Sequence, residues 1–227
     1  MLNKHNLNVA KFICKDSSRY NLSAIYVKPE ATVATNGHYL VWCSSDSVSS
    51  KHFPVVPNFA GAQDTFKPFL LDAAKANEIA KAVPKKSKIE NVAVNVEQNE
   101  LGETQATFAV TDLESPQVFS AKSESGQFPN YDTVVPKWEN AKFRIALNAA
   151  YLAKIAKAFE QFSEKPSNLV VLSFYGSDEA MRFDGTRNGQ GMTAVFDAHP
   201  WGRRPTRNIR LGRKRGATES RGTKKKA

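Results

Sequence analysis

The side chains able to do chemistry are few and scattered. Histidines stand at positions 5, 38, 52 and 199, and the two cysteines at 14 and 43. A structural zinc site draws its ligands in close pairs such as Cys-x-x-Cys, and no such pairing occurs here. His38, alone after a turn, reads as a surface or groove-wall residue rather than a catalyst. The stretch "GTRNGQG" (185–191) has the glycines of a phosphate loop, but no helix follows it, so it reads as a hairpin turn. Asp112 and Glu114 form an isolated acidic pair at a strand end, a solvated rather than a catalytic arrangement. Nothing assembles a nucleophile, a base and an orienting group. The expectation is a protein with no enzymatic activity, no metal and no cofactor.

What remains is charge and apolar surface. The chain has 227 residues and a formal charge of +10, from 32 basic and 22 acidic side chains. Residues 201–227 hold 11 of the basic residues and a single acid, Glu219, which leaves 21 of each sign in the body. The tail, "WGRRPTRNIRLGRKRGATESRGTKKKA", has no hydrophobic period and cannot bury enough apolar surface to fold alone. Its cations, among them Arg203, Arg204, Arg207, Arg210, Arg213, Lys214 and Arg215, suit non-specific capture of nucleic acid phosphates. A merely solubilising terminus is the alternative. Two cysteines make no disulfide framework, no apolar run reaches membrane-spanning length, and "MLNKHNLNVAKF" has no secretory apolar core. These features point to a soluble cytoplasmic protein.

The elements that would position any site are repetitive. "DAAKANEIAKAV" (72–83) and "NAAYLAKIAKAF" (148–159) agree at six of twelve positions at an offset of 76. Asp72 and Asn148 are suited to cap the two helices. Ala76, Ile79, Ala80 and Val83, and likewise Leu152, Ile155, Ala156 and Phe159, follow the spacing of a buried helix face. Lys81 and Lys157 fall roughly 200° from the isoleucines and point away from the core. Strand-like stretches precede each helix ("TFKPFLL", "KFRIAL"), and three follow each: "IENVAVNV", "TQATFAVT" and "PQVFSAK", then "NLVVLSF", "AMRFDG" and "GMTAVFDA". The first seventy residues read as a degraded copy: a short helix in "LNVAKFICK", then strands in "LSAIYVK", "ATVATN" and "HYLVWCS". The fold class is α+β, built of repeated βαβββ units with antiparallel sheets and helices on one face.

Short motifs add a resemblance. "SSRYNLSAIYVKPEATVATNGHYLVW" (17–42) resembles the central domain of the bacterial DNA polymerase III beta subunit, the sliding clamp. "GQFPNYDTVVP" (126–136) is similar to that family's linker from central to C-terminal domain. "FRIALNAAYLAKIAKAF" looks like the second half of its C-terminal domain, and "MTAVFDAHP" falls where the family has its closing strand. The resemblance implies the DNA-clamp fold and four segments: 1–127 like the central domain, 128–142 as linker, 143–200 as half a C-terminal domain, and 201–227 as a disordered basic tail. The family's N-terminal domain and half of its C-terminal domain have no counterpart. Asn36 stands for the usual Asp, Tyr39 for the usual Arg, and Asp197 near the usual Met. A truncated phage or plasmid version fits these departures.

The resemblance also implies a site. The family's peptide-binding groove maps onto Leu22, Thr35, Gly37, His38, Tyr39, Leu40, Pro129, Thr133, Val134, Val195 and Phe196. Aliphatic and aromatic walls with a few polar groups suit a short peptide. "TNGHY" is equally readable as a plain Asn-Gly hairpin. Lys75, Lys81, Lys154 and Lys157, with Lys85, Lys86 and Lys88, would face DNA. The implied function is a processivity accessory that binds DNA non-specifically, tethers a polymerase or another replication protein, and forms a homo-oligomer. Two alternatives stay open: a decoy or adaptor binding host replication proteins without a ring, and a non-specific DNA-binding protein on a clamp scaffold.

Overall fold

The computed structural model describes residues 1–14, 22–45, 48–84, 89–133, 135–142, 145, 147–162, 169–176, 179–187 and 190–196. The chain divides into two compact units, Met1–Thr133 and Val134–Ala227.

The first unit runs β1 (Leu2–Asn3), α1 (Lys4–Asn8), a 3-10 turn (Val9–Phe12), β2 (Ala24–Val27), β3 (Ala31–Thr35) and β4 (Leu40–Ser44). It continues through β5 (Phe69–Asp72), α2 (Ala73–Ala82), β6 (Asn91–Gln98), β7 (Thr104–Val110) and β8 (Gln117–Lys122). The order strand, helix, three strands thus occurs twice in this unit. The strands form two antiparallel sheets, β4-β3-β2-β5 and β1-β6-β7-β8. Each sheet therefore takes one strand from the other half of the unit: β5 closes on β2, and β1 closes on β6.

Alternation along the strands explains the core. One face of the first sheet sends Ile25, Val27, Ala34, Phe69 and Leu71 inward. The second sheet contributes Val92, Val94, Ala106, Phe108 and Val110 to the same cluster. Leu7, Val9 and Ala10, and Ala73, Ala76, Ile79 and Ala80 of α2, join them. Helices α1 and α2 also contact each other. Asp72 caps α2, its carboxylate accepting from Lys75 N at 2.9 Å. Asn3 and Asn6 form a reciprocal cap at α1. The fully buried Asn6 also donates to Thr32 Oγ1 and to the carbonyls of Cys43 and Ser44. That anchors α1 on the first sheet while β1 belongs to the second.

The outer face of the second sheet is covered by a connecting segment. Val56, with Phe53 and Phe59, packs on Ala93 and Ala109 of the second sheet. Gln63 bonds along the β6 edge beyond β1, its N–H donating to Val94 O and its side-chain oxygen accepting from Val96 N. A two-residue β1 was not among the expected strands.

The second unit contains α3 (Ala149–Phe162), β9 (Val171–Ser173), β10 (Met181–Arg187) and β11 (Gln190–Phe196), with antiparallel sheet order β11-β10-β9. Asn148 caps α3 by accepting from Ala150 N and Tyr151 N. Phe159 packs with Met181 and Phe183. Within the stretch read as a hairpin turn, Thr186 pairs with Gly191 and Arg187 with Gln190, joining β10 and β11 antiparallel. The strand expected in "KFRIAL" falls largely outside the described residues. Among the described residues no helix is long and apolar enough to cross a membrane.

Candidate partner-binding face

The outward face of the first sheet carries a continuous apolar row. Register places Tyr26 opposite both Val33 and Leu70, and Val33 opposite Trp42. The row Leu70–Tyr26–Val33–Trp42 thus crosses all four strands. Side chains two residues apart share a sheet face, so Ala24 and Leu40 belong to it as well.

The row is covered at one end only. Phe128 lies flat on Tyr26, with ring centroids 5.1 Å apart and planes 8° apart, and is only 7% exposed. Tyr131 meets Phe128 edge-on at 6.0 Å. Leu40 and Tyr131 pack around this cluster. At the far end Trp42 stays 59% exposed. Lys28 flanks the covered end, its ammonium 5.3 Å from the Tyr131 ring centre and 2.9 Å from Glu30. Burial works against the Lys28 charge, but its hydrogen bonds with Tyr131 and Glu30 outweigh that and raise its pKa above the usual lysine value.

The "TNGHY" segment is a four-residue loop between paired Thr35 and Leu40, not the two-residue turn typical of Asn-Gly. Its own polar groups hold it. Thr35 Oγ1 donates to Tyr39 O at 2.6 Å and accepts from Gly37 N, while Asn36 Oδ1 accepts from His38 N and Tyr39 N. Gly37 has φ of 90°, which suits glycine. Tyr39 is half-exposed and meets Phe12 edge-on at 6.1 Å.

The expected groove residues divide accordingly. Leu40 lies in the apolar cluster; Thr35, Gly37, His38 and Tyr39 form the loop beside it. Leu22 is partly buried, and its carbonyl accepts from Cys14 N. Pro129 and Thr133 are exposed beside the Phe128–Tyr131 cap. Val195 is exposed on β11 in the second unit, opposite Arg182. Val134 and the side chain of Phe196 lie outside the described residues. Tyr26, Trp42, Leu70 and Lys28 were missed, although the alternation of "HYLVWCS" already places Leu40 and Trp42 on one face.

Of the expected DNA-facing lysines, Lys81, Lys154 and Lys157 are exposed. Lys75 is engaged with Glu78 at 2.9 Å and lies over the Phe119 ring. Lys85, Lys86, Lys88 and the tail residues Arg203, Arg204, Arg207, Arg210, Arg213, Lys214 and Arg215 lie outside the described residues.

No family model and no curated protein matches the chain. Among solved structures it is similar to a "Putative DNA polymerase III beta subunit" from Eubacterium rectale ATCC 33656, with a TM-score of 0.55 over 86% of this chain. The chain shares that protein's fold. Identity is 11%, so the likeness is one of architecture. The chain spans about half the length of that structure, 49%. Within that shared fold, the apolar row and its aromatic cap stand on the outward face of a sheet whose other face packs on the helices.

Proposed function

We propose that the chain is a beta-clamp-like DNA replication accessory built of repeated βαβββ units. It holds DNA through basic side chains and tethers a polymerase or related replication protein by a short peptide. The single observation that carries the partner half of this reading is the half-covered apolar row. Phe128 and Tyr131 cover one end, while Trp42 at the other leaves an aromatic surface exposed to solvent. Such a ledge suits two or three adjacent aliphatic or aromatic side chains of an extended peptide, with the polar "TNGHY" loop beside it to orient the backbone. Support for the DNA half comes from the charge distribution. The body is neutral, and the excess of positive charge is concentrated in residues 201–227, with Lys81, Lys154 and Lys157 exposed on helices.

The test is a titration of fluorescent peptide bearing an aliphatic–aromatic clamp-binding pattern, followed by anisotropy. Leu40→Asp places an unpaired charge beside Val33 and Phe128 and is expected to weaken binding by about 30-fold or more. Circular dichroism should show the fold retained, because Leu40 is only partly buried. Unchanged affinity in a folded Leu40→Asp protein removes the ledge as the partner site.

A further inference from the structure

The segment that covers one end of the ledge is held there by few contacts. From Glu124 to Thr133, Phe128 is buried, Tyr131 is partly buried and every other residue is exposed. The segment is tied to the sheet at its start, where Glu124 N donates to Leu70 O and Ser123 Oγ accepts from Leu70 N. Among the described residues no backbone-to-backbone hydrogen bond joins residues 125–133 to the sheet. What holds them is the two rings, with Lys28 over Tyr131. Gly126, just past the tie, has φ of 111°, a conformation that residues with a side chain adopt only under strain.

Spacing shows what the ledge accepts. Tyr26 and Trp42 lie two strands apart in the row, about 9.6 Å. A peptide in polyproline II conformation returns a side chain to the same side every third residue, about 9.3 Å further along. Phe128 and Tyr131 are themselves three positions apart, with Pro129 between them. The chain thus lays on its own ledge a segment of the kind the ledge fits. Phe128 fills the seat over Tyr26, while the seat at Trp42 stays open.

We infer that residues 124–133 are a strap that competes with the partner for the ledge, and that the partner is a peptide with two aromatic anchors three positions apart. The inference rests on the ledge reading given above. With the strap down, one seat is free and a single anchor can bind at Trp42. A peptide with both anchors must displace Phe128 from Tyr26. Its affinity is therefore reduced by the fraction of molecules whose strap is raised, and any change that raises the strap strengthens its binding. Phe128 acts here as a built-in occupant of the site rather than as one of its walls.

The experiment compares two fluorescent peptides on the full-length protein, one with a single Phe and one with a Phe-Pro-Ala-Phe core. The variants are Gly126→Ala, which strains the strap without touching the ledge, and Phe128→Ala combined with Tyr131→Ala, which empties the covered seat. Each should bind the two-anchor peptide about 10-fold more tightly than the wild type does and leave the one-anchor peptide unchanged, with circular dichroism showing the fold retained. A readout without peptide accompanies these. Chymotryptic cleavage after Tyr131 should be faster in Gly126→Ala than in the wild type, because proteolysis follows the raised fraction. Two-anchor binding that is weakened or unchanged in both variants overturns the strap, and so does an unaltered cleavage rate in Gly126→Ala. Either result with one-anchor binding intact leaves the ledge standing. Faster cleavage in Gly126→Ala with neither peptide bound by any protein refutes the ledge, and with it the competition.

Discussion

Replacing Phe128 by alanine isolates the contact that holds the segment after β8 on the first sheet. Phe128 is almost wholly buried, stacks on Tyr26 and supports Tyr131 edge-on. A buried Phe→Ala change costs about 3–5 kcal/mol, and each aromatic pair contributes about 0.5–1.5 kcal/mol of that class of loss. The site lies under a single covering segment rather than between two sheets, so Tyr131 can partly collapse into the space. The expected cost is therefore near the lower end, about 3 kcal/mol. The assay is urea denaturation followed by Trp42 emission, in a chain whose other two tryptophans, Trp138 and Trp201, are replaced by Phe so that only the first unit reports. A destabilisation below about 1 kcal/mol would refute the claim that Phe128 pins this segment, because that is the scale of a surface substitution.

Two further outcomes follow from charge and packing. Deleting residues 202–227 should leave the fold intact and flatten the salt dependence of DNA binding, by about 0.9 in log–log slope for each phosphate that the tail no longer neutralises. If the helices carry the DNA instead, neutralising Lys81 and Lys157 will flatten it and the deletion will not; Lys75→Ala should matter less in either case, since Glu78 already offsets its charge. Gly185→Ala should destabilise the second unit by about 1–3 kcal/mol in a thermal melt, since its Cβ would come within 2.8 Å of Cδ1 of the buried Phe159; an unchanged melting temperature would contradict that packing.

Local elements were legible in the sequence because their signals are local. Asp72 and Asn148 cap the helices they precede, and the alternation in "VAVNV" and "ATFAV" marks β6 and β7. What pairs with what was not legible. β1 has two residues, too few for any period, and its partner β6 lies about ninety residues away. The exchange of β1 and β5 between sheets follows from the shared core of the two halves, not from either segment alone. Burial of Asn6 was hidden for the same reason, since its partners Thr32, Cys43 and Ser44 come from other strands. At the candidate site, Leu40 was found through family resemblance, whereas Trp42 and Tyr26 required the register that sets them in one row. Lys28 joined the site only once Tyr131 was folded over it.

The emission of Trp42 during a peptide titration tests the central claim most directly. The ledge account predicts a blue shift that saturates with the binding isotherm, in a chain carrying Phe at positions 138 and 201, because a docked peptide would remove the exposed indole from water. Saturable peptide binding with no change in Trp42 emission would contradict it and place the partner site elsewhere on the molecule.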